Sequence, residues 1–99
     1  MSDSFVKGML VTIIGEAVLQ DRFIALLTKS GASGYTIIPA QGAGSHGRRM
    51  GDIAGYNTNI EVKTIVNPAL AAQLLADLKP LQKSYALIAF QQPVEGFFD

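Results

Sequence analysis

Four short apolar runs alternate with two segments of helical periodicity, and this order constrains the fold more than any single motif. The apolar runs are rich in β-branched residues, as strands are, and cover residues 9–14, 35–40, 59–66 and 84–91. Helices are predicted over residues 17–30 and from Pro68 to Lys79. The resulting β-α-β-loop-β-α-β order predicts an α+β fold of the ferredoxin-like type, a four-stranded antiparallel sheet with two helices on one face.

The ends of both helices carry the residues that local chemistry favours there. Gly31 follows the first helix at the position where a left-handed C-terminal residue is common. Asn67 precedes Pro68, which fits an N-cap followed by proline at the first helical position. Lys79-Pro80 is expected to end the second helix.

Composition narrows the class of protein. The 99 residues are 48% hydrophobic and 16% charged, which predicts a single globular domain over residues 1–99. The net charge of zero argues against nucleic acid as a partner. With one histidine and no cysteine, a structural zinc site is not expected. The apolar run Met9–Ile14 is far shorter than the roughly 20 residues of a membrane-spanning helix, so we expect a cytoplasmic protein without a membrane span.

The second and fourth predicted strands are too apolar for a sheet face left in water. Both contain runs of aliphatic and aromatic residues, at 35–40 and 85–90. The two helices can cover one face of the sheet only. We therefore expect other copies of the chain to cover the second face.

A glycine-rich segment, residues 41–58, separates the second and third strands and is longer than most loops in compact domains. Gly42, Gly44 and Gly47 satisfy the G-x-G-x-x-G pattern of dinucleotide-binding turns. That interpretation needs a helix directly after the glycines, and no helical periodicity follows them. A phosphate-binding P-loop is excluded as well, because no Gly-Lys-Ser/Thr follows.

Two alternatives remain open for this loop on the residues alone. Its glycine-rich backbone can present N–H groups to an anion, and Arg48 and Arg49 add charged donors. The other alternative is a solvated loop whose arginines bind nothing specific.

The stretch GASGYTIIPAQGAGS, residues 31–45, resembles the motif of PII signalling proteins, in which a glycine turn, a strand and a G-x-G lead into a long T-loop. The Gly34-Tyr35-Thr36 sequence, a loop with Arg49 that is shorter than in standard PII proteins, and the short end of the chain look most like the PII-like branch linked to bicarbonate transporters and carboxysomes. This resemblance implies a non-enzymatic homotrimer that binds adenine nucleotides in clefts between subunits. Ligand state would then set the conformation of the T-loop, about residues 41–58.

The same resemblance implies a set of nucleotide-binding residues: Gly34, Tyr35, Thr36, Gly42, Gly44, Arg48, Arg49, Lys83 and Tyr85. His46, Glu16 and Lys63 are candidates for binding bicarbonate or lining the pocket. The glycine-rich, lysine-bearing segment of standard PII proteins is replaced here by LQKSY, where Lys83 is the one cation. This departure favours ADP or AMP over ATP, with cyclic AMP a further candidate. The implied partner is a bicarbonate transporter or a carboxysome-related protein.

Two other functions are compatible with the predicted order of elements. An acylphosphatase-type enzyme would need a phosphate-binding arginine in the loop after the first strand, but Arg22 falls inside the first predicted helix. No nucleophile is paired with a general base in the sequence. An RNA-recognition motif would carry stacking aromatics on its third strand, and NIEVKTIV has none.

Overall fold

The computed structural model describes residues 5–41 and 59–98. Its elements are β1 (Val6–Glu16), a 3₁₀ turn (Ala17–Leu19), α1 (Gln20–Ser30), β2 (Thr36–Ala40), β3 (Asn59–Val66), α2 (Pro68–Leu78), a second 3₁₀ turn (Lys79–Lys83) and β4 (Leu87–Gly96). The strands form one antiparallel sheet in the order β2-β3-β1-β4. The predicted ferredoxin-like fold is therefore confirmed.

The hydrophobic core lies between the sheet and the two helices. Val11 and Ile13 of β1 and Val62 of β3 point to this side, because paired residues of neighbouring strands share a face. They meet Phe23 of α1 and Leu74 of α2, and all five side chains are at most 1% exposed. The opposite face of the sheet carries no helix within the described part of the chain.

The helix ends follow the local chemistry predicted from the sequence. The side chain of Asn67 accepts a hydrogen bond from the backbone N–H of Leu70 at 2.8 Å, and Pro68 is the first residue of α2. Gly31 ends α1 with a φ of 88°, in the left-handed region that glycine adopts without strain.

The fourth strand differs from its prediction at both ends. It begins at Leu87 rather than residue 84, because the N–H groups of Ser84 and Tyr85 bond to the carbonyl of Leu81 and form a turn. It then continues to Gly96, beyond the predicted end at residue 91, and this added segment pairs with the first half of β1. Pro93 does not stop it, because β4 is an edge strand and one side of its backbone needs no partner.

The end of β4 is held by an aromatic contact with a glycine. A Cβ on Gly8 would lie 2.9 Å from Cγ2 of Ile65 and 3.1 Å from the ring of Phe98, so only glycine leaves room for the ring. Phe98 is half-buried there, whereas its neighbour Phe97 is 84% exposed. The two adjacent phenylalanines therefore have different environments.

We expect Phe98→Ala to lower the free energy of unfolding by about 1–2 kcal/mol, because it removes a partly buried ring from the Gly8–Ile65 surface. Phe97→Ala is the matched control and should change it by less than about 0.5 kcal/mol. Urea denaturation at one fixed protein concentration measures both. Equal losses in the two variants would contradict the packing described for Phe98.

Candidate functional site

The strand registers align four residues in a row across one end of the sheet. Ala40 pairs with Asn59, and Asn59 pairs with Glu16. Ala86 lies next in this row, one residue before the Gly15–Leu87 pair. The row spans about 14 Å, three inter-strand spacings. Both ends of the glycine-rich loop and the turn before β4 therefore leave the sheet at the same end.

The segment Gly34–Thr36 is fixed by a buried side chain of the neighbouring strand. The hydroxyl of Thr64, 3% exposed, donates a hydrogen bond to the carbonyl of Gly34 at 2.6 Å. Thr36 pairs with Lys63 in the sheet. Tyr35, between Gly34 and Thr36 in the chain, is 43% exposed. The backbone here is restrained while the tyrosine ring is left accessible.

Lys63, a predicted pocket cation, has a carboxylate partner. Its Nζ lies 3.4 Å from Oε2 of Glu61, two residues earlier on the same face of β3. Half of the lysine side chain is exposed, so the pair contributes little to stability. Its effect is to balance the lysine charge on the open face of the sheet.

The turn before β4 is hydrogen-bonded to β1 and lies near a side chain of α1. Oε2 of Glu16 accepts a hydrogen bond from the backbone N–H of Ala86 at 2.7 Å. The guanidinium carbon of Arg22, on α1, lies 6.0 Å from the centroid of the Tyr85 ring, at the outer limit of a cation–π contact. Lys83 ends the preceding 3₁₀ turn and is exposed.

The predicted site residues therefore fall into two groups. One group, Gly34, Tyr35, Thr36 and Lys63, lies on the β2–β3 side of the sheet. The other, Glu16, Lys83 and Tyr85, lies on the β1–β4 side. Gly42, Gly44, His46, Arg48 and Arg49 lie outside the described residues.

Thr64 and Arg22 contact residues of the candidate site but were not predicted as part of it. The sequence does contain a signal for Thr64. Alternate residues of a strand face the same side, so Thr64 lies on the same buried face of β3 as Ile60, Val62 and Val66. Arg22 had no such signal, because Tyr85 lies 63 positions away in the chain.

The open face of the sheet is apolar over much of its area. Ile38, Ile88 and Phe90 are 45%, 54% and 43% exposed. Leu10 and Ile65, paired with each other on the same face, are half-buried. An apolar surface shared by four strands is unusual for a chain that acts alone.

A cavity of about 390 Å³ lies at the opposite end of the sheet from the row. It is bounded by Lys7, Gly8, Ile65, Leu70 and Phe98, among others. Of the predicted site residues that the structure describes, none lines it. The cavity reaches Ser33, the residue before Gly34, but neither group lines it.

Neither a metal-binding cluster nor a membrane-spanning helix is found in the described parts of the chain. Residues 5–41 and 59–98 contain no group of three or more histidine, cysteine or acidic residues that could hold a metal ion. Over the same residues, neither helix is long and apolar enough to cross a membrane.

One family model matches most of the chain. The model of the family described as nitrogen regulatory protein P-II matches residues 9–96. A PII-like signalling protein of Thermus thermophilus is 35% identical, with a TM-score of 0.77, over 93% of this chain and 91% of its own. No curated protein matches.

Two more distant structures share the fold. CPII of Thiomonas intermedia, a nitrogen regulatory PII-like protein solved with ADP, AMP and bicarbonate, is 24% identical over 95% of this chain and 92% of its own, with a TM-score of 0.83. A DUF3240 family protein of Shewanella baltica is 19% identical over 95% of this chain and 92% of its own, with a TM-score of 0.66.

We expect Thr64→Val to lower the free energy of unfolding by about 1–2 kcal/mol, because the carbonyl of Gly34 loses its donor. The amides of residues 34–36 should also exchange hydrogen faster. Thr12→Val is the matched control: Thr12 is equally buried, and its side chain makes no hydrogen bond within the described residues. Similar exchange at residues 34–36 in both variants would contradict a restraining role for Thr64.

Proposed function

The chain belongs to the nitrogen regulatory protein P-II family, and on this basis we propose that it is a non-enzymatic signalling protein that binds ADP or AMP. Bicarbonate is the proposed co-ligand. The bound ligands would set the conformation of the T-loop, about residues 41–58, and so control a partner in inorganic-carbon uptake or fixation. The proposed partner is a bicarbonate transporter or a carboxysome-related protein, and the proposed place of binding is the cytoplasm.

The observation that carries this proposal is the row Ala40–Asn59–Glu16–Ala86. It brings both ends of the loop and the turn with Lys83 and Tyr85 to one end of the sheet. A ligand bound at that end can contact the loop and the turn together. CPII, which has the same fold, was solved with ADP, AMP and bicarbonate. These are ligands of the kind that such a site would accept.

The two groups of site residues support a site shared between copies of the chain. They lie on opposite halves of one sheet, one on β2 and β3 and the other on β1 and the turn before β4. In the proposed homotrimer, the β2–β3 side of one copy faces the β1–β4 side of the next. The exposed Ile38, Ile88 and Phe90 would then be buried between copies.

Each group has a chemistry suited to one part of a nucleotide. Gly34, Tyr35 and Thr36 would contact the adenosine through restrained backbone and an accessible ring. Arg49 and Lys83 would bind phosphate through charged hydrogen bonds. A single lysine in LQKSY supplies less charge than a triphosphate requires, which favours ADP or AMP over ATP and cyclic AMP.

The remaining predicted residues complete the proposed site. Gly42 and Gly44 would let the loop backbone approach the ligand, with Tyr85 closing the pocket. His46 and Lys63 are the candidates for bicarbonate. Arg22 belongs to α1 and faces Tyr85, so it does not supply the loop arginine that an acylphosphatase-type enzyme needs.

We expect a particle of about 31 kDa by light scattering, three times the chain mass of 10.5 kDa, because the apolar open face requires other copies to cover it. Ile88→Lys should lower this mass, since it places a charge in that face. Val18→Lys is the control, because Val18 is also exposed but lies in the turn after β1. A wild-type particle of 10.5 kDa at micromolar concentration would contradict the trimer.

Calorimetric titration with AMP, ADP, ATP and cyclic AMP, with and without bicarbonate, tests the ligand assignment. We expect Arg49→Ala to weaken ADP binding by about 10- to 150-fold, because one charged contact to phosphate is lost. Arg48→Ala should weaken it less, since Arg49 is the position that matches the family's phosphate-binding arginine. Adenosine, without phosphate, should bind wild type and variants alike. If both variants bind ADP as wild type does, these arginines do not hold the phosphate.

A further inference from the structure

Glu16 replaces a backbone pairing at the end of the β1–β4 ladder. The ladder runs from Val6–Gly96 to Gly15–Leu87 and ends there. At the next position, the N–H of Ala86 bonds to the carboxylate of Glu16, 2.7 Å from Oε2. A hydrogen bond from a backbone amide to a carboxylate is stronger than one between neutral groups. The turn before β4 is therefore tied to the central strand by a side chain.

Among residues 5–41 and 59–98, the other hydrogen bonds of this turn are local. The N–H groups of Ser84 and Tyr85 bond to Leu81, three and four residues earlier. Gln82 donates its side-chain amide to the carbonyl of Leu87 at 2.9 Å. These bonds join the turn to itself and to the first residue of β4, but not to the central strand β1. Glu16, 70 positions away in the chain, supplies that link.

Glu16 also contacts the far end of the glycine-rich loop. It pairs through its backbone with Asn59, the first residue of β3. Its backbone thus meets the point where the chain returns from the loop, and its side chain holds the turn that carries Lys83 and Tyr85. One residue connects the two segments that the proposed site uses.

We propose that Glu16 is a positioning residue, whose carboxylate holds residues 83–86 in register with the base of the glycine-rich loop. The effect of Glu16 on nucleotide binding rests on the proposed function, whereas its hydrogen bond to Ala86 does not. An unbonded carboxylate near phosphate would repel the ligand. The hydrogen bond to Ala86 instead directs this carboxylate oxygen towards the protein backbone, and Lys83 and Tyr85 remain at the edge of the sheet to meet the ligand.

Hydrogen exchange of the Ala86 amide in the nucleotide-free protein tests the hydrogen bond itself. In Glu16→Ala and Glu16→Asp, exchange should become about tenfold faster or more, because the acceptor is removed or withdrawn by one methylene. Glu16→Gln keeps an oxygen at the same reach but loses the charge, so its rate should lie between those of the wild type and the alanine variant. Glu95→Ala, which removes a carboxylate from an exposed position of β4, is the control. An unchanged rate in both the alanine and aspartate variants would overturn the proposal.

Titration with ADP separates a positioning residue from a charge near the phosphate. Glu16→Ala and Glu16→Asp should weaken ADP binding by about tenfold, and Glu16→Gln should restore it to within about twofold of wild type. Tighter binding in both the alanine and glutamine variants would mean that the carboxylate acts by repulsion, and would overturn the proposal. If the wild-type protein binds no nucleotide, the proposed function fails, and the exchange rates of Ala86 alone decide the role of Glu16.

Discussion

The antiparallel pairing of β1 with both β3 and β4 is the constraint on which the rest of the structure depends. Side chains alternate along β1, so Val11 and Ile13 enter the core while Ile14 lies on the open face. The same register places Glu16 beside Asn59 and next to Ala86. A slip of one residue would exchange the two faces and separate the parts of the candidate site.

The two faces of the sheet have different roles as a result. One is covered by α1 and α2 and gives the chain a core in which side chains such as Phe23 and Leu74 are fully buried. The other carries Ile88 and Phe90, about half-exposed, which β1 separates from the Glu61–Lys63 ion pair. Assembly through this face would bury the apolar residues and would bring the two groups of site residues of neighbouring copies together. In this account, ligand binding depends on assembly.

The sequence predicted what local chemistry determines and missed what distant contacts determine. The helix ends at Gly31 and Asn67 could be predicted, because glycine and asparagine meet needs of the adjacent backbone. The full length of β4 could not, because Pro93 indicates a strand break until the strand is known to be an edge. The packing of Phe98 on Gly8 likewise joins residues 90 positions apart.

In the candidate site too, the sequence indicated which residues take part but not the long-range contacts that hold them. The resemblance pointed to Gly34–Thr36 and to Tyr85, but it gave no reason for their positions. That reason lies in long-range contacts, from Thr64 to Gly34 and from Glu16 to Ala86. From the sequence, Glu16 could be predicted only as a candidate pocket carboxylate. Its hydrogen bond to Ala86 spans 70 positions of the chain and has no signature in a single sequence.

A crystal structure of the protein grown with ADP tests the central claim most directly, namely that the nucleotide site is shared between copies. We expect ADP between two copies, in contact with Tyr35 from the β2–β3 side of one copy. The phosphates should lie near Lys83 of the next copy, at the end of that copy's sheet that carries Ala40 and Glu16. ADP held by one chain alone, or bound in the cavity beside Phe98 at the opposite end, would contradict it.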